Sequence, residues 1–83
     1  ISTINKELCW VKTVVTAPNV VNKDIISLGL KEKYDATIIA IQRKDTIIFP
    51  LHNNSRIKIG DIVSVVCRNK HIKKVVSALS QID

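Results

Sequence analysis

The sequence predicts a small α+β domain, with two helices on a mostly antiparallel sheet. At 83 residues the chain has room for only one hydrophobic core. Apolar residues make up 46% of it and aromatic residues only 4%, so the core must be aliphatic, and the many β-branched residues favour strands. Two segments with the apolar spacing of helices complete the prediction, whose order is β-α-β-β-β-α.

The first two elements are a strand and a short helix. Ile1 to Leu8 is a polar lead-in without a structural signal of its own. Cys9 to Thr16 is rich in β-branched residues and alternates as a strand does. Asn22 is expected to cap a helix that continues to about Tyr34, because an asparagine side chain accepts a hydrogen bond from the first helical turn.

Three strands follow this helix. Ala36 to Arg43 is short, β-branched and largely apolar on both faces, so we expect a central strand. Lys44-Asp45 is a tight turn into Thr46–Phe49, the second arm of a hairpin, and Pro50 then indicates a sheet edge because proline lacks a donor for the ladder. Ile62 to Cys67 is the clearest buried strand of the chain.

A turn and a helix flank the last strand. The turn is Gly60-Asp61, and the Asp61 side chain is expected to close it by accepting backbone N–H groups. Asn69 is expected to cap a closing amphipathic helix in which Lys73 and Lys74 face outward. The apolar residues with the i, i+3, i+4, i+7 spacing of one helix face are Ile72, Val75, Val76 and Leu79.

The charge balance attracts anions without identifying one. The net charge is +6 and the pI about 9.6, which suits nucleic acid, anionic lipid or a phosphate-bearing ligand. The lysines are scattered, however, with only Lys73 and Lys74 adjacent, so a solvated surface is favoured over an anion-binding footprint. No apolar run approaches the ~20 residues of a membrane-spanning helix, so direct membrane insertion is not expected.

The sequence contains no pattern typical of catalysis or metal binding. Paired carboxylates, a nucleophile with its base, a glycine-rich phosphate loop and clustered metal ligands are all missing, so we expect neither an enzyme nor a metal site. Cys9 and Cys67 are isolated and are expected to be inert core thiols of a reducing compartment, with a disulfide between them as the weaker alternative. Trp10, Tyr34 and Phe49 are also assigned to the core.

The chain begins with Ile1 and contains no methionine, which leads us to expect a domain excised from a longer protein. Residues 1–8 are then a lead-in or linker, and residues 9–83 are the folded domain. Part of the function is expected to lie in segments outside this chain.

Four local patterns occur together between Val11 and Leu79. They are the helix and strand of Val21 to Asp45, the IIFP arm of Ile47 to Pro50, the segment SRIKIGDIVSVV of Ser55 to Val66, and the closing amphipathic helix. In this order they resemble the TrkA C-terminal domain, the RCK-C module of potassium-transport regulators, over about four-fifths of the chain. The sequence departs from that family at Cys67-Arg68, where a glycine is usual, and this should alter only the turn into the last helix.

The resemblance implies a regulatory domain. Modules of this family form homodimers in the cytoplasm and are attached to a potassium channel or transporter, another ion-transport protein or a transcription regulator. Several bacterial members bind cyclic di-AMP in the dimer cleft, so this nucleotide is the implied effector, and no resident cofactor is implied. It carries two negative phosphates and two adenines with apolar faces, which a cleft with aliphatic walls and a few cationic or polar groups would hold.

Carried over by position, the cleft is lined by the strand that ends in Arg43 and by the hairpin arm after it. The residues expected to sandwich the bases, each with a core or dimer-contact role as an equal alternative, are Ile39, Ile41, Ile47, Ile48 and Pro50. Arg43 and Thr46 are expected to contact a phosphate, although Asp45 between them would repel one unless it points outward. His52 and Arg56 are further candidates, with a solvated loop position as the favoured alternative for His52.

Two other functions stay open at this point. The first is a structural dimerisation module without a ligand, with an interface filled by Ile39, Ile41, Ile47 and Ile48. The second and least favoured is a small basic domain that binds nucleic acid or an acidic protein through its scattered lysines, which predicts a steep salt dependence.

Overall fold

The computed structural model describes residues 2–80, which form a five-stranded antiparallel sheet with two helices on one of its sides. The strands are β1 (Ser2–Thr3), β2 (Leu8–Val14), β3 (Thr37–Arg43), β4 (Thr46–Ile48) and β5 (Ile62–Arg68). The helices are α1 (Leu30–Tyr34) and α2 (Ile72–Leu79), and short 3₁₀ turns occur at Pro18–Val20, Ile26–Leu28 and Asn69–His71. The strand order is β1-β2-β5-β3-β4, so the predicted α+β class is confirmed and β5 lies at the centre.

The core lies between the helices and one face of the sheet. Burial alternates along β2 and β5, because successive side chains of a strand point to opposite faces. The fully enclosed core side chains (at most 1% exposed) from these strands and their surroundings are Cys9, Val15, Ala17, Ile41, Ile57, Val63, Val65, Cys67, Val75 and Leu79. Val75 and Leu79 are therefore the residues by which α2 covers the sheet, as their helical spacing predicts.

The predicted helix from Asn22 to Tyr34 is wrong in its first half. Asn22 is not a cap: its φ is 65°, and its N–H donates to the Ile57 carbonyl at 2.7 Å. Asp24 forms a β-bridge with Arg56, so the backbone here is paired with the loop before β5 and cannot satisfy a helix as well. Asp24 instead accepts the Ser27 N–H at 2.7 Å, and the α-helix begins only at Leu30.

The cap predicted at Asn69 is also wrong. Its side-chain amide donates to the Lys6 carbonyl at 2.7 Å and its N–H to the Glu7 carbonyl at 2.7 Å, so it holds the turn between β1 and β2. A 3₁₀ turn leads into α2, and no side chain caps that helix. Where the family usually has glycine, β5 continues to Arg68, which pairs with Glu7 at 2.9 Å.

The hairpin and the sheet edge agree with the sequence prediction. β3 and β4 are joined by Lys44 and Asp45, with Arg43 opposite Thr46, and β4 is the edge strand that ends before Pro50. β3 is an interior strand, but only one of its faces is buried. None of the helices within residues 2–80 is long and apolar enough to cross a membrane.

Candidate functional site

The structure divides the predicted site residues between two sides of the sheet. Ile41 has no exposed surface and lies opposite the half-buried Ile48, so of its alternatives it is a core residue. Ile39 and Ile47 are 36% and 61% exposed and belong to the surface. Ile41 therefore supports the hairpin from beneath and is left out of the ligand proposal below.

The side of the sheet opposite the helices is an uncovered and largely apolar surface, here called the open face. On this face Trp10 of β2 lies opposite Val66 of β5. Val14 of β2 lies opposite Ile62 of β5, and this row of neighbouring side chains continues across the sheet through Gln42 of β3 to Ile47 of β4. Large side chains exposed here are Trp10, Val14, Ile39 and Ile47. The charged strand residues on this face are Lys12, whose Nζ lies 5.2 Å from the centroid of the Trp10 ring, and Arg68, which lies opposite Leu8 and pairs with Glu7 at 2.9 Å. Such a surface is typical of an interface rather than of a solvated sheet.

The aromatic residues are more exposed than the sequence indicates. Phe49 is 66% exposed and Trp10 is 38% exposed, so their assignment to the core is wrong. Tyr34 is half-buried and its ring lies 6.1 Å from that of His71. Phe49 follows the edge strand β4, where no neighbouring strand covers it, and an edge position before proline is the signal that predicts this exposure.

The Arg43 guanidinium forms a bidentate ion pair with the Asp61 carboxylate. Nε donates to Oδ1 at 2.9 Å and Nη2 to Oδ2 at 2.8 Å, while Nη2 also donates to the Arg56 carbonyl at 3.0 Å. Asp61 is 1% exposed and its Oδ2 accepts the Lys58 N–H at 2.8 Å, which confirms that it closes the turn. The phosphate role predicted for Arg43 is reduced to Nη1, the guanidinium nitrogen without a hydrogen bond within residues 2–80.

This ion pair changes the acidity of both groups. Burial raises the pKa of Asp61, but the hydrogen bonds from Arg43 and from the Lys58 N–H outweigh it, so the pKa lies below its ordinary value of 3.8. The hydrogen bond to Asp61 raises the pKa of Arg43 above its ordinary value, so the guanidinium stays charged at any ordinary pH. The pair is therefore a fixed structural element that ties β3 to the turn before β5.

The lowered pKa of Asp61 predicts a loss of stability in acid. A carboxyl group whose pKa is depressed by folding stabilises the fold above its unfolded pKa, and this contribution is lost as the pH falls through the lower folded value. In urea unfolding measured between pH 7 and pH 3, we expect the wild type to lose stability below about pH 4 more steeply than Asp61→Asn. Asp45→Asn removes an exposed carboxylate from the hairpin turn and is the matched control. Parallel curves for wild type and Asp61→Asn would contradict the assignment.

The loop after β4 contributes to a groove in the surface. Thr46, Pro50, His52 and Arg56 are exposed, and the His52 N–H donates to Ser55 Oγ at 2.9 Å. His52 lines a groove of about 240 Å³. Half of its lining is apolar, namely Ile25, Ile26, Ala36, Ile38 and Leu51, and half is polar, namely Lys31, Glu32, Thr37, His52 and Asn53. Lys31 and Ile26 were missed because the sequence places both on the helix predicted from Asn22 to Tyr34, with Lys31 facing water and Ile26 in the buried stripe. The assignment of Ile26 to that stripe is wrong, since it is 58% exposed.

The two thiols face each other across the centre of the sheet. Cys9 and Cys67 are register partners on β2 and β5, both are free and buried, and Cys9 Sγ donates to the Cys67 carbonyl at 3.5 Å. Burial, and then the neighbouring Cys9, raise the pKa of Cys67 from 9.0 to about 11. A thiol with this pKa is a poor nucleophile at neutral pH, as expected for core cysteines. Within residues 2–80 no three His, Cys, Asp or Glu side chains are grouped so as to hold a metal ion.

The sequence is similar to a protein family and to individual proteins of two bacteria. The family model for the TrkA-C domain matches residues 11–80. The uncharacterized protein MG323 of Mycoplasma genitalium is 30% identical over 78 residues, which are 93% of this chain and 34% of that protein. YE4162 of Yersinia enterocolitica, whose name proposes a role in transport, is 36% identical over 75 residues, which are 90% of this chain and 13% of that protein. The chain thus spans about a third or less of these relatives.

A solved structure has the same fold. It is the RCK C domain of the potassium transport protein KtrA in complex with cyclic di-AMP. The TM-score is 0.76 at 22% sequence identity, and the match covers 87% of this chain and 84% of the other. At this identity the likeness establishes the fold alone.

Proposed function

The chain belongs to the TrkA-C domain family, and from this membership we propose that it is a cytoplasmic, regulatory and non-catalytic domain of an ion-transport protein. In this role it forms a homodimer and binds cyclic di-AMP between the two copies. The name of YE4162 supports a link with transport, and the KtrA RCK C domain, solved with this nucleotide, supports the choice of ligand. Potassium is the first candidate ion because KtrA is a potassium transport protein.

The observation that carries the ligand proposal is the exposed apolar corner at the end of the hairpin. Ile47 and Phe49 are 61% and 66% exposed on and just after an edge strand, and Ile39 and Pro50 are exposed as well. Adenine has flat apolar faces, and large side chains that are already exposed bind such faces without reorganising the core. We therefore assign the bases to this corner.

Polar groups for the phosphates lie in the same hairpin and in the loop after it. Arg56 and His52 are exposed. Thr46 provides a hydroxyl opposite Arg43, on the side of the sheet that holds Ile41 and Ile48 and not on the open face with Ile47. Arg43 itself takes part only through Nη1, because Asp61 occupies Nε and Nη2. Arg56 is the cation with more freedom, since the one hydrogen bond of its side chain within residues 2–80 joins Nη1 to the Asn22 carbonyl at 2.6 Å.

The second copy is the occupant that we assign to the open face. Two such faces bury each other's tryptophan, valine and isoleucine side chains, and a small aliphatic domain gains core by this association. The charged strand residues of this face within residues 2–80 are Lys12, which already lies by Trp10, and Arg68, which is paired with Glu7, so a two-fold pairing brings few unpaired like charges together. A ligand that spans the interface then favours one arrangement of the two copies, and this bias is what an attached transporter would sense.

Calorimetric titration with cyclic di-AMP tests the proposal, with ATP and the linear dinucleotide as comparisons. We expect heat at one cyclic di-AMP per two chains. Ile47→Ala/Phe49→Ala should weaken binding by at least about tenfold, because both proposed base contacts lose most of their apolar area. Ile4→Ala/Ile59→Ala, which removes exposed isoleucines outside the corner, is the matched control and should change it by less than about twofold.

The molecular mass of each sample, measured at the same concentration, separates loss of ligand from loss of the dimer. A dimer without heat would refute ligand binding and favour the structural dimerisation module. Equal weakening by both double variants would refute the assignment of the bases to the hairpin corner.

A further inference from the structure

A second polar concavity lies on the helical side of the domain, away from the open face. Residues of the first part of the chain and of α1 and α2 line a groove of about 290 Å³, and a shallower depression of about 400 Å³ lies beside it. The two share Tyr34 and Ala78 in their lining, and together they are here called the lysine groove. None of the proposed cyclic di-AMP contacts lines it.

The lysine groove carries four positive charges and no negative one. Lys23 and Lys33 line its deeper part, and Lys73 and Lys74 line its shallower part. The two ion pairs found within residues 2–80 are Arg43–Asp61 and Arg68–Glu7, so these four ammonium groups have no carboxylate within salt-bridge distance there. Asp24 lies beside Lys23 in sequence but accepts the Ser27 N–H and is not part of the lining.

Neutral hydrogen-bonding groups accompany the four lysines. Ser27 and Asn19 line the deeper part, Ser77 lines the shallower part, and Tyr34 lines both. Lysine binds phosphate as a point charge, and hydroxyl and amide groups add directed hydrogen bonds. Several cations around one small concavity suit a compact ligand whose negative charges are close together.

We propose that the lysine groove binds a compact oligophosphate, such as the phosphate chain of a nucleoside polyphosphate or a short inorganic polyphosphate. Repulsion among four lysines around one groove destabilises the free domain, and an anion of three or more charges relieves it. A nucleic acid fits less well, because its backbone needs cations spread along an extended track, and the groove has neither arginine nor an exposed stacking platform.

Titration of the 83-residue chain with inorganic tripolyphosphate at 0.15 M salt tests this proposal. We expect saturable binding at one ligand per chain, with amide NMR shifts concentrated at Tyr34 and Ser77. Orthophosphate should bind at least about tenfold more weakly, because fewer charges are paired. ATP separates the two sources of the ligand, since an affinity above that of tripolyphosphate shows that a nucleoside is also recognised.

Two double variants of equal net charge separate a built site from general attraction. Lys33→Gln/Lys73→Gln should weaken tripolyphosphate binding by at least about tenfold, whereas Lys44→Gln/Lys58→Gln should change it by less than about twofold. Equal weakening by both variants would overturn the proposal, because it would show an unspecific effect of net charge. Tighter binding of polyglutamate or a single-stranded oligonucleotide, with shifts spread over all basic surfaces, would overturn it as well. Cyclic di-AMP binding should be unchanged in Lys33→Gln/Lys73→Gln, so the two sites are tested independently.

Discussion

Replacing Arg43 with alanine should lower the free energy of unfolding by about 3 kcal/mol. This is the largest effect expected for any single half-buried or exposed side chain of the site. The reason is that Asp61 is 1% exposed in the intact protein and would keep only the Lys58 N–H as a hydrogen-bond partner, and a largely buried carboxylate that has lost its cation is costly. The measurement is urea unfolding, in which the midpoint should fall while the dependence on urea stays the same. Arg68→Ala removes the exposed pair with Glu7 at the same change of charge and should cost at most about 1 kcal/mol.

A loss no greater than that of Arg68→Ala would show that Arg43 contributes little to stability, contrary to the geometry. The result also bears on how ligand binding is tested. Since Arg43→Ala removes the tie between β3 and the turn before β5, its loss of ligand would say little about contact with a phosphate. Arg43→Lys keeps the charge but not the bidentate pair, and a variant of Arg56 is the cleaner probe.

Replacing Ile47 with aspartate should convert the proposed dimer to a monomer. A two-fold interface places the substitution in both copies, so a buried charge appears twice, and we expect the dimer dissociation constant to rise by about 100-fold or more. The fold should persist, because Ile47 is 61% exposed within one chain. Sedimentation over a range of concentrations measures the mass, and circular dichroism checks the fold.

Ile4→Asp is the matched control for this experiment. Ile4 is 55% exposed next to β1, at the opposite edge of the sheet, and its substitution introduces the same charge. A dimer that survives Ile47→Asp but not Ile4→Asp would move the interface to the other edge of the sheet. A monomeric wild type at every concentration would refute association through the open face altogether.

The parts of the fold predicted correctly are those in which local pattern and tertiary packing agree. Alternation along β2 and β5 identifies the inward faces, and the helical i, i+4 spacing identifies Val75 and Leu79 as the residues that bury α2. The Asp61 side chain is also predictable, because an aspartate after a glycine in a turn has backbone N–H groups within reach. That it would also bind Arg43 is not, since the two are brought together only by pairing of β3 with β5.

The errors occur where a distant partner competes with a local preference. Asn22 and Asn69 each have the residue type of a helix cap, but their backbone groups are hydrogen-bonded to Ile57 and Glu7 instead. Phe49 is a large apolar residue and was assigned to the core, yet it emerges at an uncovered edge. In the candidate site, Ile39 and Ile47 could be predicted from the sequence. The lysine groove could not, because its residues come from segments that are separate along the chain.

The position of β5 in the sheet has a consequence for how the domain forms. β5 is the last strand of the chain, yet it separates β2 from β3, so the two earlier pairs, β1 with β2 and β3 with β4, have no sheet contact until it is inserted. Folding must therefore wait for pairings of long sequence separation, such as Leu8 with Arg68, and should be slow for a domain of this size. During synthesis the ribosome must release nearly the whole chain before the sheet can close.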